Sequence, residues 1–213
     1  MDELIIENPN TISYIFNKLS TYVVGPNSKI KNTIRVKDAI LAYDRFASNV
    51  QITDTDFIKT TPGCYIASGA FAGSETLTSC TISGNNCTKI GNNAFENCTA
   101  LILLNIATKV DLLSENFIKG CSSLKSLDLS SCVFTEFPKS GTAINLGSVI
   151  LPDTCKTLDN YAFDGDTKLY NINLSNIVTI GSYCFRNCDL RMADCSNATS
   201  ISSGSFYNNV NME

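Results

Sequence analysis

A short phrase recurs along this chain: an aliphatic residue followed five positions later by Phe. It pairs Ile66 with Phe71, Ile90 with Phe95, Leu112 with Phe117, Leu158 with Phe163, Ile180 with Phe185 and Ile201 with Phe206. A small residue usually precedes the Phe. A second phrase, Leu-x-x-aliphatic-x-aliphatic, follows it. Its members are Leu77, Cys80 and Ile82; Leu101, Leu104 and Ile106; Leu124, Leu127 and Leu129; Leu146, Val149 and Leu151; Leu169, Ile172 and Leu174; and Leu190, Ala193 and Cys195. Successive starts lie 21 to 24 residues apart. A fixed period of this length is the mark of a leucine-rich solenoid. The last two apolar positions alternate with polar ones, as a half-buried strand requires. One unit cannot bury its apolar face alone, so stacked units must share a parallel sheet. The Phe residues then form a column along the back of the core.

One unit departs from the pattern. Between Leu129 and Leu146 stands Val133-Phe-Thr-Glu-Phe-Pro138. Proline opposes regular helix there, so the unit near 130–151 is expected to be degenerate with its strand intact.

The consensus aliphatic-x-x-x-Ala-Phe-x-x-Cys-x-x-Leu resembles the BspA-like leucine-rich repeat family. IGNNAFENCTALILLNI (90–106) and IGSYCFRNCDLRM (180–192) carry the likeness. The resemblance implies a right-handed α/β-type solenoid used as a binding surface, without catalytic residues.

Outward strand positions are then the candidate binding face. One column reads Thr81, Asn105, Asp128, Ile150, Asn173 and Asp194. The next reads Ser79, Leu103, Ser126, Ser148, Asn171 and Met192. Their amides, hydroxyls and carboxylates suit a polypeptide or a surface glycan. Only Tyr170 and Tyr207 lie near, so there is no aromatic ladder for sugar stacking.

Composition excludes several chemistries. There is no His, hence no imidazole base, no Ser-His or Cys-His pair and no His metal ligand. Lys+Arg number 16 against 20 Asp+Glu, with no basic cluster, which speaks against nucleic acid. No stretch is long enough for a membrane span, and no signal peptide is expected at the acidic N-terminus. The 10 Cys are expected to be reduced. Cys98, Cys121 and Cys188 follow their Phe, and Cys80 and Cys195 occupy inward strand positions, where a thiol packs as a small hydrophobe. Cys64, Cys87, Cys132 and Cys155 have no assigned place. Without Cys-x-x-Cys, no zinc or other metal site and no cofactor is expected. The sequons at Asn86, Asn97, Asn173 and Asn197 are read as coincidental.

Residues 1–56 fall outside the repeat and are expected to form a helical cap or attachment segment before the solenoid at 57–213. A helix after Pro9 places Ile12, Ile15, Phe16 and Leu19 on one face. A second, from Val36 to Ala47, places Val36, Ile40 and Tyr43 on one face. Segment 28–40 looks like the short helical modules that precede similar repeats in phage and prophage virion proteins, and segment 196–206 looks like those phage arrays. The expectation is a non-enzymatic virion component for host attachment or assembly, with a bacterial or protist cell-surface adhesin as the alternative. Self-association is left open.

Overall fold

The computed structural model describes residues 4–6, 34–36, 39–42, 49–52 and 64–213, apart from 86 and 143–144. The described strands are, in chain order, β1 (Leu4–Ile6), β2 (Ile34–Val36), β3 (Ala39–Ala42), β4 (Asn49–Ile52), β5 (Cys64–Ile66), β6 (Ser79–Ser83), β7 (Cys87–Ile90) and β8 (Leu103–Ala107). They continue as β9 (Leu112–Leu113), β10 (Ser126–Asp128), β11 (Glu136–Phe137), β12 (Ser148–Ile150), β13 (Thr157–Leu158), β14 (Asn171–Ile172), β15 (Thr179–Ile180) and β16 (Ser200–Ile201). No helix occurs among the described residues.

Each turn as far as β14 contributes one strand to a long sheet and one to a shorter row. The long sheet runs β4-β6-β8-β10-β12-β14, all parallel. Its register is set by burial. In β8 the pattern alternates exposed and buried, with Leu104 and Ile106 inward. A slip of one residue would turn that apolar set to solvent. Val50, Cys80, Leu104, Leu127, Val149 and Ile172 thus form one buried column, and Ile82, Ile106, Leu129, Leu151 and Leu174 the next. Each fully buried Leu or Ile contributes about 1.5–3 kcal/mol of transfer energy.

The second row is split. β5, β7 and β9 continue a sheet begun by β1, β2 and β3, whereas β11, β13, β15 and β16 form another. The break falls at the degenerate unit. Elsewhere the back of each turn is held by residues with positive φ, such as Asn93 (56°) and Asn97 (57°). Asn and Gly tolerate this left-handed backbone, which explains the Gly and Asn flanking each Phe.

Four expectations are corrected. First, the helix over Val36 to Ala47 is not formed at its described residues. Val36 lies in β2 and Ile40 in β3, which pair antiparallel. β3 in turn pairs parallel with β5. The open edge of β5 offers a row of unpaired backbone groups, and pairing with it overrides helix propensity. Tyr43, Ile12, Ile15, Phe16 and Leu19 lie outside the described residues. Second, β4 precedes the boundary at 56/57 yet pairs residue for residue with β6. Its unit lacks the leading Leu of the second phrase, Ala47 standing three before Val50.

Third, the third unit is shifted by one residue. Ile90 pairs with Leu113, not Leu112. The residue five after Leu113 is Ile118, and it is Ile118 that takes the Phe position. Phe117 O accepts from Phe95 N just as Ala94 O accepts from Phe71 N, placing Phe117 in the small-residue column. Leu112 is half exposed, while Leu113 is buried. Fourth, no strand is assigned at 190–195. Ala193 and Cys195 are only partly buried, because short side chains give that segment little inward surface to fix it against β14.

The degenerate unit keeps its strand, β12. In the Phe column its backbone is at Ser140, whose N donates to Ala162 O and whose hydroxyl donates to the same oxygen at 2.7 Å. No ring stands there. The gap is filled by Phe137, which occupies the aliphatic position opposite Leu158. Its ring stacks on Phe163 at 4.7 Å and meets Phe117 and Phe134, each at 6.1 Å. From Phe163 the column continues through Phe185 to Phe206, each step 5.4 Å.

Candidate functional site

The long sheet carries the expected columns in register. Ser79 lies opposite Leu103 and Thr81 opposite Asn105. Asp128 lies opposite Asn105 and Ile150, and Ser126 opposite Ser148, which lies opposite Asn171. At about 4.8 Å per strand, the column from Ser79 to Asn171 is about 19 Å long. Asn173 follows β14 at its exit. Met192 and Asp194 lie beyond the last strand of this sheet, on the irregular segment, and Met192 is the most exposed of the face residues at 74%.

Three polar members of the face are turned to the backbone. Asp128 Oδ1 accepts from Ser130 N at 2.9 Å, and Asp194 Oδ1 from Ser196 N at 3.1 Å. Hydrogen bonds from Ser196 hold the Asp194 carboxyl below its ordinary range. The Asn173 amide mimics a strand: Nδ2 donates to Leu151 O at 3.0 Å and Oδ1 accepts from Leu151 N at 2.7 Å. These side chains shape the exit turns of the sheet. Ser79, Thr81, Asn105, Ser126, Ser148 and Asn171 complete the polar part of the face.

The apolar part is larger than the sequence suggested. Leu103 and Ile150 are about half exposed, and so is Ile102, from the position just before β8. Backbone bonds align Ile102 with Thr78 and continue the same position through Lys125, Gly147 and Tyr170. The Tyr170 ring lies across Gly147, where a Cβ would come within 3.0 Å of Cε1. The Arg191 guanidinium sits 5.7 Å from the ring centroid. Ile102 and Arg191 were missed, and Tyr170 was noted only as lying near, because they precede the alternating positions; the position before each strand was the available signal.

Eight of the nine described thiols are buried. Cys98, Cys121 and Cys188 donate to the carbonyls of Phe71, Phe95 and Phe163 at 3.0, 3.0 and 3.1 Å. Cys132, Cys155 and Ile177 take like places in three successive turns, each backbone N–H donating to the carbonyl three residues earlier, at Leu129, Pro152 and Leu174. Cys87 is buried in β7. Burial pushes Cys98 and Cys155 up to about 11 and Cys132 up to about 12, and raises Cys80, Cys121, Cys184 and Cys188 further. Cys195, partly buried, is raised by burial and by Asp194. These are thiols made inert by an apolar setting. Of the sequon residues, Asn97 packs against Gly120, and Asn197 Nδ2 donates to Ser175 O at 2.6 Å. Asn86 is outside the described residues.

Comparison with known proteins bears on the fold. The sequence profile of the BspA type leucine rich repeat region matches in 6 copies, over residues 40–141 and 140–213. Comparison with curated proteins gave no match. The structure resembles that of a leucine rich cell surface protein from Faecalibacterium prausnitzii, with TM-score 0.65 and 21% identity over 82% of this chain and 48% of that one. It also resembles a leucine-rich repeat protein from Eubacterium ventriosum, with TM-score 0.66 and 19% identity over 86% of this chain and 54% of that one. The chain spans about half the length of these two proteins. At such identity the likeness concerns the fold alone.

Proposed function

The chain belongs to the BspA-type leucine-rich repeat family, and we propose that it is a non-enzymatic recognition module that binds a protein through the face of its long sheet. The observation that carries this reading is the continuous row of in-register outward positions, in which half-exposed Ile102, Leu103, Ile150 and Tyr170 are interspersed with small hydroxyls and amides. Apolar and aromatic anchors ringed by polar groups are the make-up of a binding surface. Among the described residues the thiols other than Cys195 are buried, and the chain has no His, which supports a non-enzymatic reading.

A cell-surface setting is the form we favour, because one structural neighbour is itself described as a cell surface protein. A photo-crosslinking residue placed at Ser126 in the producing cell tests both parts. The expected result is one defined protein adduct, sensitive to protease added outside intact cells. Equal adduct formation from a control position at Lys168 would refute the face. Adducts protected from external protease would refute the setting.

The second form of the reading places the chain on a virion. Its support is the likeness of segment 196–206 to phage arrays. Segment 196–206 builds the last turn, with β16 and the final Phe. Cryo-microscopy of purified particles decides it: density for the solenoid supports the virion form, and particles without the chain end it.

A further inference from the structure

A second surface lies along the edge of the solenoid beside the Phe column. Outside the degenerate unit, the residue two before the Phe-column position adopts positive φ, at Gly69, Asn93, Asn116, Tyr161, Tyr183 and Gly204. Gly and Asn suit that backbone, whereas a bulky ring there is strained. Two successive turns nevertheless use Tyr, at φ 59° and 54°. Their rings stack at 5.6 Å and 16°. Stacking returns energy of the same order as the strain, so stability alone does not account for the choice.

The surroundings fix these rings in place. The Tyr183 ring lies on Gly204, where a Cβ would come within 2.5 Å of Cε1. Arg186 sits 5.7 Å from the Tyr161 centroid and 5.1 Å from that of Tyr183. It is itself clamped by Asp164, with Nε to Oδ1 at 2.8 Å and Nη2 to Oδ2 at 2.6 Å. Lys139 Nζ lies 5.7 Å from the Tyr161 centroid. Tyr207, 64% exposed, follows Arg186 in the backbone ladder. Rigid Tyr and Arg side chains lose little freedom on binding and are over-represented among binding hot spots.

We propose that this edge, formed by Lys139, Tyr161, Tyr183, Arg186 and Tyr207, is a second recognition surface and that it takes a polypeptide. Stacking on a sugar needs an open ring face. Here the faces of Tyr161 and Tyr183 are occupied by each other, by Gly204 and by cations, which leaves ring edges and hydroxyls. Those groups, with the Lys139 ammonium, fit peptide carbonyls and an acidic side chain. The proposal does not depend on the sheet face.

The test is a random peptide display library selected on the full chain, with recovered peptides measured on the wild type, on a Tyr161→Asn/Tyr183→Asn variant and on an Ile150→Lys variant. Asn is the residue other turns use at this position, so the double variant is expected to keep or raise the melting temperature. Peptides that bind the double variant at least tenfold more weakly, and bind Ile150→Lys normally, support the edge. Recovery only of peptides indifferent to the double variant overturns it. So does a double variant that loses binding to an array of oligosaccharides and not to peptides. A large fall in melting temperature would make the tyrosines structural and overturn it as well. Peptides lost only by Ile150→Lys speak for the sheet face and against the edge.

Discussion

Raising the pH from about 8 to about 10 should unfold this protein, and its thiols are the reason. Seven buried Cys, at 80, 98, 121, 132, 155, 184 and 188, have native values raised by burial, to about 11 or 12 where they stay within an ordinary range. In the unfolded chain each returns to about 9. The native state therefore holds its protons while the unfolded state loses them. That stabilisation is complete below pH 9 and is lost as pH rises above it. At pH 10 the loss is about 1.4 kcal/mol per thiol, and it depends only on the unfolded value as long as the native one lies higher. Seven thiols then lose about 10 kcal/mol, comparable with the whole stability of a domain. Guanidinium unfolding at both pH values, with reductant present, measures the difference. A fall below about 3 kcal/mol, or thiolate absorbance from the folded protein at pH 10, would refute the reasoning.

Other outcomes follow from the packing. Phe117→Ala and Phe137→Ala should each cost about 3–5 kcal/mol, and a double-mutant cycle should give a coupling of about 1 kcal/mol or more, whereas Phe95 and Phe185, far apart, should be additive; urea denaturation of the wild type and the single and double variants of both pairs checks this. Gly181→Ala drives a Cβ to 2.6 Å from Asn160 N and Asp159 C, an overpacking expected to cost about 1–3 kcal/mol and read as a lowered melting temperature. Asn173→Ala leaves Leu151 N and O without their amide partner, which should cost about 1–3 kcal/mol in the same denaturation assay.

How much of this was legible in the sequence depends on which force decides each position. Leu104 and Ile106 on either side of Asn105 state their own orientation, because burial alone fixes a strand's register. Leu112 and Leu113 do not: both are leucine, and only the backbone bonds to Ile90 and Phe95 show which one points inward. Phe137 was legible as an apolar residue but not as the ring that fills the column, since its backbone sits at another position. Val36 and Ile40 have helical spacing, and the open edge of β5, which no local pattern contains, draws their segment into strands. The outward columns were readable as places. That Asp128 and Asn173 bend back to the chain was not, because an exposed carboxylate or amide looks the same in sequence whether it meets solvent or a backbone N–H.

Those inward-turned side chains change where binding energy on the face must come from. A polar group already bonded to backbone offers little to a ligand without breaking what it holds, and breaking the Asn173 pair alone costs about 1–3 kcal/mol. The small hydroxyls of Ser126 and Ser148 add directionality more than affinity. Burying half-exposed Leu103 or Ile150 under a partner returns about 25 cal/mol for each Å² of apolar surface covered, without such a cost. The Tyr170 ring, already held by Gly147 and Arg191, loses little freedom on contact. A partner of this face is therefore expected to bring apolar side chains across the strands, with hydrogen bonds at Asn105 and Asn171 setting its direction.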